Sequence, residues 1–234
     1  MTELVAADEG PHPGSLHEEW MFDFWAPDGT IGGVMGYRLV GRSDAWYWWA
    51  LARAGEPVLH VTEWMIPRRA DPMIAKAQAM WAEHVCEAPF EQWTLGNETY
   101  AVALDDPDEG LGRAYGVAVP IASDLEWYAT APVVAIVDGY EQRGVVHGVV
   151  ELSSGRLELD ELLAHRTHRW STGGSGSVDQ RCVRWAGSSS SSSRPEDSST
   201  TPWTTPRCSY PSTSATTGAD AYHSRSDAMG TATP

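Results

Sequence analysis

A rhythm of short runs constrains this chain more than any other feature. Across residues 18–152, segments rich in aromatic and β-branched residues recur roughly every ten residues, separated by Gly, Pro, Asp and Ser. No stretch among them is long enough for the helix of a βαβ crossover, which argues against a parallel sheet. An all-β, antiparallel barrel or sandwich with meandering connections remains.

The individual runs follow the two-residue period of a strand. In residues 19–26, Trp20, Phe22 and Phe24 share one face. Pro27-Asp28-Gly29 then makes a turn, proline presetting φ and glycine accepting the positive φ that other residues avoid. Residues 31–40 return, with Gly32, Gly33 and Gly36 indicating a bulge or tight curvature. Residues 45–53 and 58–66 form the next pair, and residues 67–78 read as a loop with one helical turn. Strands resume at 80–86, 90–95, 98–104, 113–119, 125–129 and 140–152, and the last turns at Ser153-Ser154-Gly155 into 156–163.

Composition divides the chain at Trp170. Beyond it, 64 residues hold 16 Ser, 10 Thr, five acids and five bases, with no Leu, Ile or Phe. The net charge of −16 therefore resides in residues 1–170, where 27 acids face 11 bases. Residues 171–234 cannot bury enough apolar area to offset their ordering entropy and read as a disordered tail. Fifteen Arg against a single Lys and a single Asn suit a GC-rich coding sequence, and a frameshift there would yield such a tail.

The acidic balance excludes nucleic acid as a partner, because neutralising phosphates needs clustered Lys and Arg. No apolar run reaches the ~20 residues of a membrane span, and residues 1–14 read as a flexible N-terminus without a basic leader. A cytoplasmic location is the resulting expectation. Cys86, Cys182 and Cys208 indicate neither a disulfide framework nor a zinc site.

Ten of twelve Trp precede residue 171, and Trp46, Tyr47, Trp48 and Trp49 are consecutive. On a strand they place rings on both faces. The rings either fill a core and an interface or wall a cavity for an apolar ligand.

Four stretches in order carry a family resemblance: residues 86–98 (CEAPFEQWTLGNE), 101–107 (AVALDDP), 124–127 (DLEW) and 140–148 (YEQRGVVHG). Together they resemble uncharacterised actinobacterial proteins of two-domain lipocalin-like (calycin) architecture, distant relatives of the AttH-like and carotenoid 1,2-hydratase group. The resemblance covers about residues 15–170. It implies a first lipocalin-like barrel over 15–135 and the opening hairpin of a second, incomplete barrel over 136–170. Where those proteins read Arg-Asp-His-Ser-Trp-Gly, this chain reads Arg166-Thr167-His168-Arg169-Trp170-Ser171.

The resemblance also frames the chemistry. A hydratase- or cyclase-like reading makes His168 a general acid toward an isoprenoid double bond, with Asp160 or Glu161 standing in for the carboxylate that Thr167 replaces. Glu126, beside Trp127, is the second catalytic candidate, since burial raises a carboxyl pKa; Glu91 and Glu141 have similar aromatic neighbours. His165 and His168, three apart, face opposite sides of a strand, so neither a metal nor a cofactor is expected. The acidic run at 105–110 reads as a solvated turn rather than a calcium loop.

The expected role is binding of an apolar small molecule, a terpenoid, steroid or acyl lipid, by Trp20, Phe22, Phe24, Trp46, Trp48, Trp93, Trp127, Tyr140, His147 and Trp170. A hydratase or cyclase is the alternative. A non-functional fragment, self-associating through the edge of its incomplete second barrel, is the third reading.

Overall fold

The structure is a computed structural model that describes residues 4–111 and 114–171. Eleven strands make one antiparallel sheet: β1 (His17–Trp25), β2 (Ile31–Val40), β3 (Asp44–Arg53), β4 (Val58–Pro67), β5 (Ile74–Ala77), β6 (Met80–Ala88), β7 (Gln92–Leu104), β8 (Val117–Ala129), β9 (Val134–Ile136), β10 (Gly139–Leu152) and β11 (Gly155–Ser171). Consecutive strands pair through β1–β4. The last strand returns to the first, His17 lying opposite Ser171 and Trp25 opposite Leu163. On the other side β4 pairs with the far half of β7, Val58 opposite Leu104. The ring β1-β2-β3-β4-β7-β8-β10-β11 is therefore closed, and the β5–β6 hairpin joins it along the near half of β7.

Alternation turns this ring into a core. Trp20, Phe22 and Phe24 of β1, Met35, Tyr37 and Leu39 of β2, and Tyr47, Trp49 and Leu51 of β3 all point inward and are buried. Trp93, Leu95, Leu125 and Trp127 complete the wall from β7 and β8.

Three expectations about elements are corrected. Residues 67–78 are not a loop with a helical turn throughout, because residues 74–77 form β5. The runs 90–95 and 98–104 are one strand, β7, just as 113–119 and 125–129 merge into β8, which begins at Val117. Gly96-Asn97 does not break it, since the Asn97 amide donates to Tyr47 OH at 2.7 Å and its carbonyl oxygen accepts from Ser123 Oγ at 2.8 Å.

The third concerns domains. Residues 136–170 do not open a second barrel: β10 pairs with β8, and β11 pairs with both β10 and β1, so they close the only ring the described residues form. That removes the open half-barrel edge on which self-association rested. Strand β11 pairs with β10 along one edge and with β1 along the other, and Glu161, with φ 48°, lies opposite the register shift between Val146 and Gly148. The expected tail lies outside the described residues, apart from Ser171, which ends β11. No helix among the described residues is long and apolar enough to cross a membrane.

Candidate functional site

Polar side chains gather inside this aromatic barrel in three groups. The first seals the end where β1 begins and β11 ends. Ahead of β1, residues Ala6–Glu9 form one 3-10 turn, tied down by Trp20 Nε1 donating to the Glu9 carbonyl at 3.0 Å. The Glu9 carboxylate is buried. It accepts both Arg166 Nη groups at 2.7 Å, Tyr140 OH at 2.6 Å and the Phe90 backbone N–H at 2.6 Å. Burial pushes this carboxyl up, but Arg166, Tyr140 and Phe90 together hold it below its ordinary value. Arg166 donates also to Gln142 Oε1, and its guanidinium stands 4.8 Å from the Trp127 ring centroid.

The second group adjoins it. Glu18, directly opposite Trp170 in the ladder, is buried at 2 % exposure. Its Oε1 lies 2.7 Å from His12 Nδ1 and 2.8 Å from His168 Nε2, while Oε2 accepts the His12 backbone N–H at 2.8 Å. Rings hold both imidazoles in place: Trp170 stacks on His12 at 4.0 Å and Trp20 on His168 at 4.4 Å. Burial lowers the pKa of His168 against the opposing pull of Glu18, so its imidazole is neutral near pH 7. With Nε2 donating to Glu18, Nδ1 is a lone-pair acceptor, buried and without a partner.

The third group sits between β2, β3, β6 and the two Trp of β7 and β8. His84 is 1 % exposed, with the rings of Phe22, Tyr37 and Tyr47 at 6.0, 5.8 and 6.2 Å. Burial drives its pKa down to about 3, and neither ring nitrogen has a hydrogen-bond partner among the described residues. Tyr37 OH and the Nε1 of Trp49, Trp93 and Trp127 are likewise buried and unpartnered. Burial pushes the Tyr37 hydroxyl up to about 12, so it stays protonated as a donor.

At the opposite end of the barrel, where β10 turns into β11, lies an open groove of about 610 Å³. Its outer wall includes Lys76, Trp81 and Tyr100. Its inner wall includes Met80, Thr99 and Ile121, which belong to the inward face of the barrel.

Of the residues read from sequence, Trp20, Phe22, Phe24, Trp93, Trp127, Tyr140 and His168 all line the interior. Trp170 is partly buried against His12 and Tyr140 at the sealed end. Trp46, Trp48, His147 and Glu126 do not join them. The period of β3 sends Tyr47 and Trp49 inward, leaving Trp46 edge-on to Trp64 at 4.6 Å and Trp48 over Gly36 on the outer face. His147 faces Asp160 at 3.2 Å outside the barrel. Glu126 is exposed and accepts from Tyr128 OH at 2.8 Å, so the burial that made it a catalytic candidate is absent.

Neither Asp160 nor Glu161 reaches His168. Glu18 supplies its carboxylate. Glu9, His12, Glu18, Tyr37, Tyr47, Trp49, His84, Asn97 and Arg166 were not read as site residues. Alternation within 80–86 would have placed His84 inward beside Met80 and Ala82, but nothing local marks Glu9, whose side-chain partners Phe90, Tyr140 and Arg166 are distant in sequence, and His12 meets Trp170 and His168 only in the closed ring.

No curated protein matches this chain. A family described only as a domain of unknown function, DUF7064, matches residues 5–187, taking in the N-terminal seal, the whole ring and the closing strand β11, and the chain belongs to that family.

Proposed function

We propose that the barrel binds an apolar small molecule bearing oxygen acceptors, such as an oxygenated terpenoid, a steroid or an acyl ester, within its aromatic interior. One observation carries this reading: among the described residues, seven buried polar atoms on six inward-facing residues have no hydrogen-bond partner. Folded proteins pair more than about nine in ten such atoms, and each left unmade costs roughly 1–3 kcal/mol. Four of the seven are obligate or protonated donors, three indole N–H groups and the Tyr37 hydroxyl, which select a ligand carrying carbonyl, ether or hydroxyl oxygen. Ring walls supply the remaining affinity at about 25 cal/mol per Å² of apolar area buried. The groove beside Met80 and Ile121 is the route in.

Tryptophan fluorescence tests this. An oxygenated terpenoid or steroid quenches or shifts the emission, and its parent hydrocarbon binds more weakly. Trp49→Phe removes one donor and weakens the oxygenated ligand by up to roughly tenfold, one hydrogen bond being worth about 0.5–1.5 kcal/mol. Silence across terpenoids, sterols and acyl esters would sink the proposal and leave ordered water as the partner of these atoms.

The contact between Glu18 and His168 favours a second reading, an enzyme of the hydratase or cyclase kind. A carboxylate that fixes the imidazole tautomer is what a proton-transferring histidine requires. The neutral ring makes His168 Nδ1 a base in the resting state rather than the general acid of the hydratase expectation. His168→Ala abolishes turnover of an isoprenoid alkene or alcohol under this reading; unchanged turnover removes His168 from any mechanism.

A further inference from the structure

We infer that His12, Glu18 and His168 form a site for one divalent transition-metal ion of the zinc class. One donor atom from each of His12, Glu18 and His168 lies within 4.8 Å of the other two, and Glu18 Oε1 faces both His12 Nδ1 and His168 Nε2. They come from the segment ahead of β1, from β1 and from β11, and they converge only because the ring closes. Ligand bonds of about 2.0–2.2 Å hold neighbouring donor atoms roughly 3.3 Å apart in a tetrahedron. The present separations of 2.7 and 2.8 Å from Glu18 to the two imidazoles need open by well under an ångström.

Donor chemistry selects the ion. Two imidazoles and one carboxylate suit zinc, cobalt or ferrous iron, whereas calcium and magnesium take oxygen sets. Three protein ligands leave a further position free, and the His12 side chain, 19 % exposed, borders solvent there.

Around His12 the surroundings match the outer layer that metal-binding histidines ordinarily have. His12 Nε2 faces Asp8 Oδ1 at 3.2 Å, the carboxylate partner that orients a ligating imidazole. Glu18 Oε2 is held by the His12 backbone N–H, and the stacked Trp170 and Trp20 fix both ring planes. Each ring presents its lone pair to the ion and carries its proton on the other nitrogen, His12 toward Asp8 and His168 at the unpartnered Nδ1. Elsewhere on the barrel wall, His147 with Asp160, and His165 with Asp23 and Glu141, bring only one histidine each.

The test uses the full chain, stripped with a chelator and titrated with cobalt(II) and zinc(II). One equivalent binds, cobalt gives visible d–d bands of low-symmetry coordination, and zinc raises the thermal midpoint. His12→Ala and Glu18→Gln each weaken binding at least about tenfold and abolish the bands, while His147→Ala changes nothing. Because His12 lies ahead of the strand ladder, its variant keeps the barrel intact and decides the matter even if Glu18→Gln does not fold. No stoichiometric binding, or binding undiminished in His12→Ala, overturns the site. Neither result bears on ligand binding in the interior, which the fluorescence experiment reads independently.

Discussion

His84 shows what one residue does to the energetics of this barrel. Its imidazole is surrounded by Phe22, Tyr37 and Tyr47 and has no partner that would stabilise a charge, so burial alone lowers its pKa from 6.5 to about 3. In the unfolded chain the same ring takes a proton near its ordinary value. The unfolded state therefore binds more protons between those two values. The stability of keeping His84 neutral is full above pH 6.5 and is lost as pH falls toward 3. Between about pH 7 and about pH 5 this amounts to roughly 2 kcal/mol. Urea unfolding at both pH values measures it, and His84→Phe removes most of that difference. His168, also lowered by burial, adds a slope of the same sign. Protonation of Glu9 adds to the loss only at more acidic pH, because its native value lies below 4.5. Sequence pointed to His168 through its neighbours Arg166 and Trp170, but was silent on Glu9 and Glu18. Acids are rarely buried, and only their pairing with Arg166, His12 and His168 makes burial tolerable here.

At the scale of elements, β10 packs closely against β8. Gly144 of β10 is buried between Ala129 and Ala164, and a Cβ there would meet the Trp127 ring and the Tyr128 carbonyl oxygen, each at 2.4 Å. The carbonyl belongs to the β8 ladder and cannot step aside. Gly144→Ala consequently destabilises by about 1–3 kcal/mol, read as a fall in thermal midpoint by circular dichroism with the β signal retained below the transition. A midpoint equal to that of the parent protein would mean that β8 and β10 are less closely apposed than described. Strand existence was largely legible, since period-two alternation is local, as at Trp20, Phe22 and Phe24. Strand extent was not. Gly96-Asn97 resembles a turn until Tyr47 and Ser123 satisfy the asparagine from two other strands.

Across the whole molecule, closure of the ring organises everything else. Pairing β1 with β11 brings Glu18 and Trp20 against His168, and pairing β4 with β7 shuts the other seam. The N-terminal turn then plugs one end through Glu9 and Arg166, while an open groove lies at the other end. The resemblance to two-domain proteins suggested that residues 136–170 begin another barrel, yet the same residues complete this one.

What sequence determined by itself was the β class, the absence of crossover helices, the acidic charge and the inward rings of β1, β7 and β8. All of these follow from residue type and a two-residue period. Tertiary structure decided which of Trp46–Trp49 face inward, that Glu126 and His147 lie outside, and that His12, Glu18 and His168 meet. Register and closure depend on partners up to about 150 positions away, and no local pattern encodes them.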